Sequence, residues 1–158
     1  MIGIGDYGAS NTPGDLVKTM ALGSCVAVVF LVPKTRCVGM VHVALPESSI
    51  NADKRIAKPG HFADTGIPAL FENVCRVGGA VLVSDLYVKI AGGANVLGAT
   101  STFDIGRRNV LAVKKALWGL GTGPVAEDVG GCFSRTVTVS LDAGTMSISS
   151  PGKGDWTI

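Results

Sequence analysis

Leu22-Gly23-Ser24-Cys25-Val26-Ala27-Val28-Val29-Phe30-Leu31-Val32-Pro33-Lys34-Thr35-Arg36-Cys37-Val38-Gly39-Met40-Val41-His42-Val43 reads as a β-hairpin. Residues 26–31 are an unbroken apolar, β-favouring run, and residues 37–45 are nearly a second. Between them Val32-Pro33-Lys34-Thr35 is a candidate turn, with proline at the second position, where its fixed φ is wanted. A hairpin centred between Pro33 and Lys34 pairs Val32 with Thr35, Phe30 with Cys37, Ala27 with Met40, and Cys25 with His42. Directly opposed residues share a sheet face with Cβ atoms roughly 4.5–5.5 Å apart, within reach of a thiol–imidazole contact. A slip of one residue would send the two side chains to opposite faces, so this inference depends on register.

A thiol needs such a neighbour before it can act as a nucleophile. With a pKa of about 8.5 a free cysteine is only about 3% thiolate at pH 7. An adjacent imidazole can take the proton, and in strongly coupled pairs the thiol pKa falls to roughly 3–4, a difference on the order of 6 kcal/mol. The same histidine can later return a proton to a leaving amine. Gly23-Ser24 suits a close backbone approach in which amide N–H groups hold a developing oxyanion. The residues alone leave a second reading open. Free cysteine often serves as a small buried hydrophobe, and a histidine on an apolar strand is usually a satisfied core residue.

At 158 residues the chain is expected to form one domain spanning 1–158. It is 47% hydrophobic and 16% charged, well under the roughly 25% charge usual for globular domains, which argues against disorder. Net charge is +2, and no segment concentrates Lys and Arg with interleaved aromatics, so nucleic acid is not an expected partner. No apolar run reaches the ~18 residues of a membrane span and no signal peptide is visible. The expected setting is therefore cytoplasmic, with reduced thiols and no membrane insertion. Cys25, Cys37, Cys75 and Cys132 show no CxxC spacing. A zinc site combining them with His42 and His61 is unsupported, and neither metal nor cofactor is expected.

Residues 2–7 and 15–21 read as short strands around the turn Asn11-Thr12-Pro13-Gly14. Gly3-Ile4-Gly5-Asp6-Tyr7-Gly8 matches GxGxxG by letter but lacks the flanking strand and helix of a nucleotide site. Residues 46–61 are polar and read as a long loop; leaving the strand that carries His42, it would flank a site there. Residues 65–77 have helical spacing, with Thr65 as N-cap so that Pro68 falls in the first turn. Residues 81–90 read as strand. A second helix is expected over 105–120, capped by Asp104, with Val110, Val113, Leu117 and Leu120 inward and Gly121 and Gly123 ending it. The remainder looks all β: residues 125–129, then 136–141 paired with 145–149 across Asp142-Ala143-Gly144. Two main helices among mostly antiparallel strands, not alternating with them, give an α+β class.

Seven fragments in order, at compatible spacing, carry a family resemblance. They are Leu22-Gly23-Ser24-Cys25, His42-Val43-Ala44-Leu45-Pro46, Lys58-Pro59-Gly60, Ala63-Asp64-Thr65, Lys89-Ile90-Ala91-Gly92-Gly93-Ala94, Ile105-Gly106-Arg107-Arg108-Asn109 and Ala126-Glu127-Asp128-Val129-Gly130-Gly131. With them the chain resembles the CheD family of bacterial chemoreceptor glutamine deamidases over nearly its whole length. The resemblance implies a sandwich like the catalytic domain of cytotoxic necrotising factor toxins. It maps the family's nucleophile onto Cys25, its histidine onto His42, and a threonine that orients the histidine onto Thr19. The hairpin argument does not find Thr19, which by itself is an ordinary strand threonine. The implied reaction is hydrolysis of a glutamine side-chain amide through a Cys25 thioester. Its substrate is a receptor's cytoplasmic helices, and its regulator is the phosphatase CheC, itself linked to the response regulator CheY. Methylesterase activity has also been associated with the family. The chain departs from the usual pattern at Val129, where threonine is common, and at Cys132-Phe133, leaving partner contacts of that loop open. Two rival readings remain at this stage: another cysteine amidase or peptidase using the same pair, and an adaptor that binds receptors or CheC with little catalysis.

Overall fold

The computed structural model describes residues 1–96 and 104–158. Among them are strands β1 (Tyr7–Ser10), β2 (Leu16–Leu22), β3 (Val26–Val32), β4 (Cys37–Val43), β5 (Tyr87–Gly92), β6 (Pro124–Val129), β7 (Arg135–Ser140), β8 (Met146–Ser150) and β9 (Gly154–Thr157). The α-helices are α1 (Ala52–Ala57), α2 (Ala63–Gly78) and α3 (Ile105–Leu120). One sheet has the order β1-β4-β3-β5-β6 and the other β2-β7-β8-β9. Only β5 and β6 pair in parallel among the described strands; α3 lies between them in the chain, as a parallel crossover needs. The class is α+β, as expected.

The layering explains why β3 and β4 read as continuous apolar runs. Val26, Val28, Phe30, Val41 and Val43 face α2 and α3, against Ile67, Leu70, Val113 and Leu117. Ala27, Val29, Val38 and Met40 face the second sheet, against Val17, Leu22, Val137 and Ile148. Every residue of β3 and β4 is buried, because helices cover one face and a sheet the other. In the second sheet β7 alternates buried with half-buried residues, since only one of its faces is covered.

The hairpin forms, but with a different register. Val32 pairs with Cys37 and Ala27 with His42, so each residue meets a partner two positions further along than expected. The cause is the loop. Pro33–Thr35 form a 3₁₀ turn, and Arg36 adopts a left-handed conformation (φ 51°) with its N–H on the Pro33 carbonyl at 3.3 Å. Four residues thus connect the strands where a two-residue turn was expected. A shift of two keeps every side chain on its expected face.

Other expectations shift for local reasons. Residues 2–6 are not strand: they form a turn in which Gly3 N–H donates to the Asp6 carboxylate at 3.1 Å. The segment 46–61 is not a featureless loop but holds α1, capped by Asn51 Oδ1 accepting from Lys54 N–H at 2.9 Å. Helix α2 starts at Ala63, ahead of Thr65, whose hydroxyl instead donates to the Pro59 carbonyl at 2.6 Å. In 81–90 strand begins only at Tyr87; Val83–Asp85 are a 3₁₀ turn. Helix α3 matches its expected bounds, with Asp104 accepting from Arg107 N–H at 2.9 Å and Gly121 ending it at φ 92°. Strand β9 had no counterpart in the sequence reading. No helix of the described residues is long and apolar enough to cross a membrane.

Candidate active site

Thr19 and His42 lie on different sheets, Thr19 on β2 and His42 on β4, and face each other across the layer between them. Both are fully buried, at 0% and 1% exposure, so their polar atoms must find protein partners. They find each other: Thr19 Oγ1 is 2.8 Å from His42 Nδ1. Thr19 Oγ1 is also 2.8 Å from the Ile2 carbonyl, which can only accept. A hydroxyl has one hydrogen, so it goes to Ile2, and Thr19 Oγ1 accepts from Nδ1–H. That choice leaves Nε2 with a lone pair and, among the described residues, no hydrogen-bond partner. The backbone of His42 is held as well: its carbonyl accepts from Gly5 N–H at 2.8 Å and its N–H donates to the Asp6 carbonyl at 3.1 Å.

The strand carrying Thr19 is interrupted just beyond it. Pairing passes from Thr19–Val137 to Leu22–Arg135, one extra residue on β2, with Ala21 at φ 58°. This bulge redirects the chain from the second sheet toward the first, so Leu22 to Cys25 crosses between sheets. The crossing is tied down at each carbonyl. Gly23 O accepts from Ala94 N–H and Cys25 O from Gly93 N–H, both at 2.8 Å; Ser24 O accepts from Asn109 Nδ2 at 2.9 Å. Gly92 has φ 116°, and a Cβ there would collide with the Cys25 carbonyl, so this approach requires glycine. In trans peptide units N–H points opposite to C=O, so the Ser24 and Cys25 amides are directed away from these partners.

Cys25 is half-buried and packs against the inter-sheet cluster, the face on which His42 lies. It is not directly opposite His42, as the expected register had it: His42 opposes Ala27, and the register carried one residue past its last pair, Val26–Val43, sets Cys25 diagonal to it. Diagonal neighbours sit roughly 7–8 Å apart at Cα, still within reach of side-chain contact. The sulfur makes no hydrogen bond to Nε2 here. Burial pushes the Cys25 thiol above its ordinary value, partly offset by its own backbone amide. Burial lowers His42 to about 4; Asp6 opposes the shift, while His61 and Lys58 add to it. At neutral pH the pair is therefore thiol and neutral imidazole, not the ion pair anticipated from adjacency alone.

The other cysteines lie elsewhere. Cys37 and Cys75 belong to the helix-facing core, and Cys132 is exposed. His61 is buried against Phe62 with its rings edge-on at 5.1 Å. The segment 46–61 borders a groove of about 740 Å³ with α2 and α3, lined by Pro46, Glu47, Asp64, Arg108 and Leu111; none of Thr19, Cys25 and His42 lines it. Sequence reasoning missed Asn109 and the Ile2 carbonyl. Asn109 had a readable signal, a polar residue at helical spacing with Gly106, Val113 and Leu117 on the buried face of α3. A main-chain carbonyl leaves none.

The model of the CheD family (CheD chemotactic sensory transduction) matches residues 44–150. A protein of Syntrophotalea carbinolica named "Probable chemoreceptor glutamine deamidase CheD" is 54% identical over 158 residues, covering 100% of this chain and 98% of that one. A Syntrophus aciditrophicus protein named "Probable chemoreceptor glutamine deamidase CheD 1" is 41% identical, covering 96% and 94%. The "Chemoreceptor glutamine deamidase CheD" of Thermotoga maritima is 40% identical, covering 98% and 94%. The family match begins beyond Thr19, Cys25 and His42, but the full-length relatives extend across them. A sandwich of these two sheets and its helices, matched over two-thirds of its length by one family model and over all of it by such a relative, places this chain in the CheD family.

Proposed function

We propose that this protein hydrolyses glutamine side-chain amides of bacterial chemoreceptors to glutamate, in the cytoplasm, through a thioester on Cys25. The observation that carries the reading is the Thr19–His42 hydrogen bond, which leaves Nε2 with a free lone pair on the sheet face where Cys25 packs. The names of its full-length relatives supply the substrate class.

The reaction begins with thiol and imidazole both neutral. Burial penalises either charge alone; transfer of the Cys25 proton to Nε2 creates both together, and their attraction in a low-dielectric site opposes that penalty. Sulfur attacks the amide carbon as the proton leaves it, forming the C–S bond and an oxyanion. The Ser24 and Cys25 N–H groups, whose peptide carbonyls are engaged on the other side, would donate to it. His42 then gives its proton to the amide nitrogen, the C–N bond breaks, and ammonia leaves. A water, deprotonated by Nε2, attacks the thioester carbonyl; the C–S bond breaks, glutamate forms and the thiol is restored. Throughout, Thr19 holds the ring in the tautomer that presents Nε2. The resemblance extends to a CheC phosphatase as regulator.

Intact-mass analysis of a receptor cytoplasmic fragment tests the proposal. Each modified site gains the difference between an acid and an amide, and Cys25→Ala abolishes the gain. Tight binding with no gain would make the protein an adaptor, and backbone cleavage would make it a peptidase; either overturns the proposal.

A further inference from the structure

Asn109 has no part in the chemistry above, yet it is fully buried on the inner face of α3. Its Nδ2 donates to the Ser24 carbonyl and to the Ala44 carbonyl, each at 2.9 Å. With two acceptors facing it, the orientation of the carboxamide is determined. Its Oδ1 is buried with no hydrogen-bond partner among the described residues. An unpartnered buried acceptor is a cost that leucine at this position would avoid. What asparagine supplies instead is a bridge. The β3–β4 pairing ends at Val26–Val43, and one step further the same register sets Cys25 level with Ala44. There the strands part, and Asn109 ties the residue before Cys25 to the residue two beyond His42.

We propose that Asn109 is a positioning residue that sets the separation between the backbone of Cys25 and the strand carrying His42, so that sulfur can reach Nε2. This rests on the reading of Cys25 and His42 as nucleophile and base. Asn109 touches neither reacting atom. Glycine-lined contacts hold the crossing from the β5 side, through Gly93 and Ala94; only Asn109 among the described residues links it to the segment following β4 by side-chain hydrogen bonds.

The experiment is a mutant cycle on Cys25 alkylation by iodoacetamide, followed across pH. Asn109→Ala is expected to slow alkylation at pH 7 by about tenfold, because Nε2 no longer comes within reach to take the thiol proton as sulfur attacks. In a His42→Ala background the same substitution is expected to add nothing, because the base whose approach it sets is already gone. Asn109→Asp, equal in size but without the paired donors, should behave likewise. Equal slowing in both backgrounds would make Asn109 a general support of the loop, and no slowing in either would leave it without effect; both overturn the assignment. So would loss of fold in both variants, which would make Asn109 a residue of the core. Alkylation needs no receptor, so a wild-type protein that leaves receptor glutamines unmodified would refute the proposed activity without touching this measurement.

Discussion

Replacing Thr19 with valine removes one hydroxyl and little volume, and its consequences follow from the hydrogen bonds. His42 Nδ1–H, in a ring only 1% exposed, loses its acceptor. A buried donor left unpaired costs about 1–3 kcal/mol, which is the expected loss of stability. The same energy is what now holds the ring in its productive orientation and its Nδ1–H tautomer. Removed, it lowers the population with Nε2 free by a factor of roughly 5 to 160, at 1.36 kcal/mol per decade. The rate constant kcat for deamidation of a receptor fragment is expected to fall in that range, with KM little changed, because Thr19 is buried beyond reach of substrate. Thr19→Ser keeps the hydroxyl and should recover most of the activity, and nitrogen NMR of the ring should report mixed tautomers in the valine variant only. Wild-type kcat in Thr19→Val, or an equal deficit in Thr19→Ser, would refute the orienting role.

Three further outcomes are expected. His42 is held neutral by burial at about 4, below the roughly 6.5 of the unfolded chain. The unfolded state therefore binds the proton first, and stability is complete above pH 6.5 and declines toward pH 4, by about 3 kcal/mol from this group; urea midpoints across that window should fall less steeply in His42→Ala. Arg135 is buried and donates through Nε and Nη2 to Asp128, whose other oxygen accepts from Trp156 Nε1, and through Nη1 to the Gly130 carbonyl. Arg135→Met should lower unfolding free energy in urea by about 1–3 kcal/mol by removing the charged partner of Asp128, which is 21% exposed and keeps its Trp156 bond, and Arg135→Lys should not restore it, since lysine lacks the fork. Gly92→Ala places a methyl against the Cys25 carbonyl at φ 116°, so a folded variant should show slowed Cys25 alkylation; an unchanged rate would mean that the crossing tolerates displacement.

The elements most legible in the sequence were those specified locally. Helix α3 announced both ends, with Asp104 as cap and Gly121 as stop, and its buried positions followed from period. The strands of the hairpin were equally plain, because a strand covered on both faces must be apolar throughout. Their register was not, because it turned on whether Arg36 would enter the left-handed region, where arginine carries no propensity signal. The shift is two residues and not one, so every strand residue keeps its expected face. Thr19 illustrates the opposite case. Its partner is on another sheet, 23 positions away, and no local pattern links a strand threonine to a histidine; only the family resemblance proposed it. In 46–61 the Asn51 cap was readable, but short helices anchored by tertiary contacts leave weak periodicity.

The electrostatics and the geometry of the site bear on each other. Were Cys25 an ion-paired thiolate at rest, its reactivity would tolerate some misplacement, since charge acts over distance. The resting pair is neutral instead, with the thiol raised and the imidazole lowered by burial. In the proposed mechanism, nucleophile formation then depends on a proton transfer that is only possible at hydrogen-bond distance. That shifts the weight from charges to supports: the Ile2 carbonyl that fixes the Thr19 hydrogen, Thr19 that fixes the ring, and the contacts of Gly93, Ala94 and Asn109 that fix the crossing. The supports come from the N-terminal turn, both sheets and α3. Activity should accordingly be more sensitive than stability to substitutions in this set, whereas at Arg135, whose bonds serve the β6–β7 connection, the order should reverse.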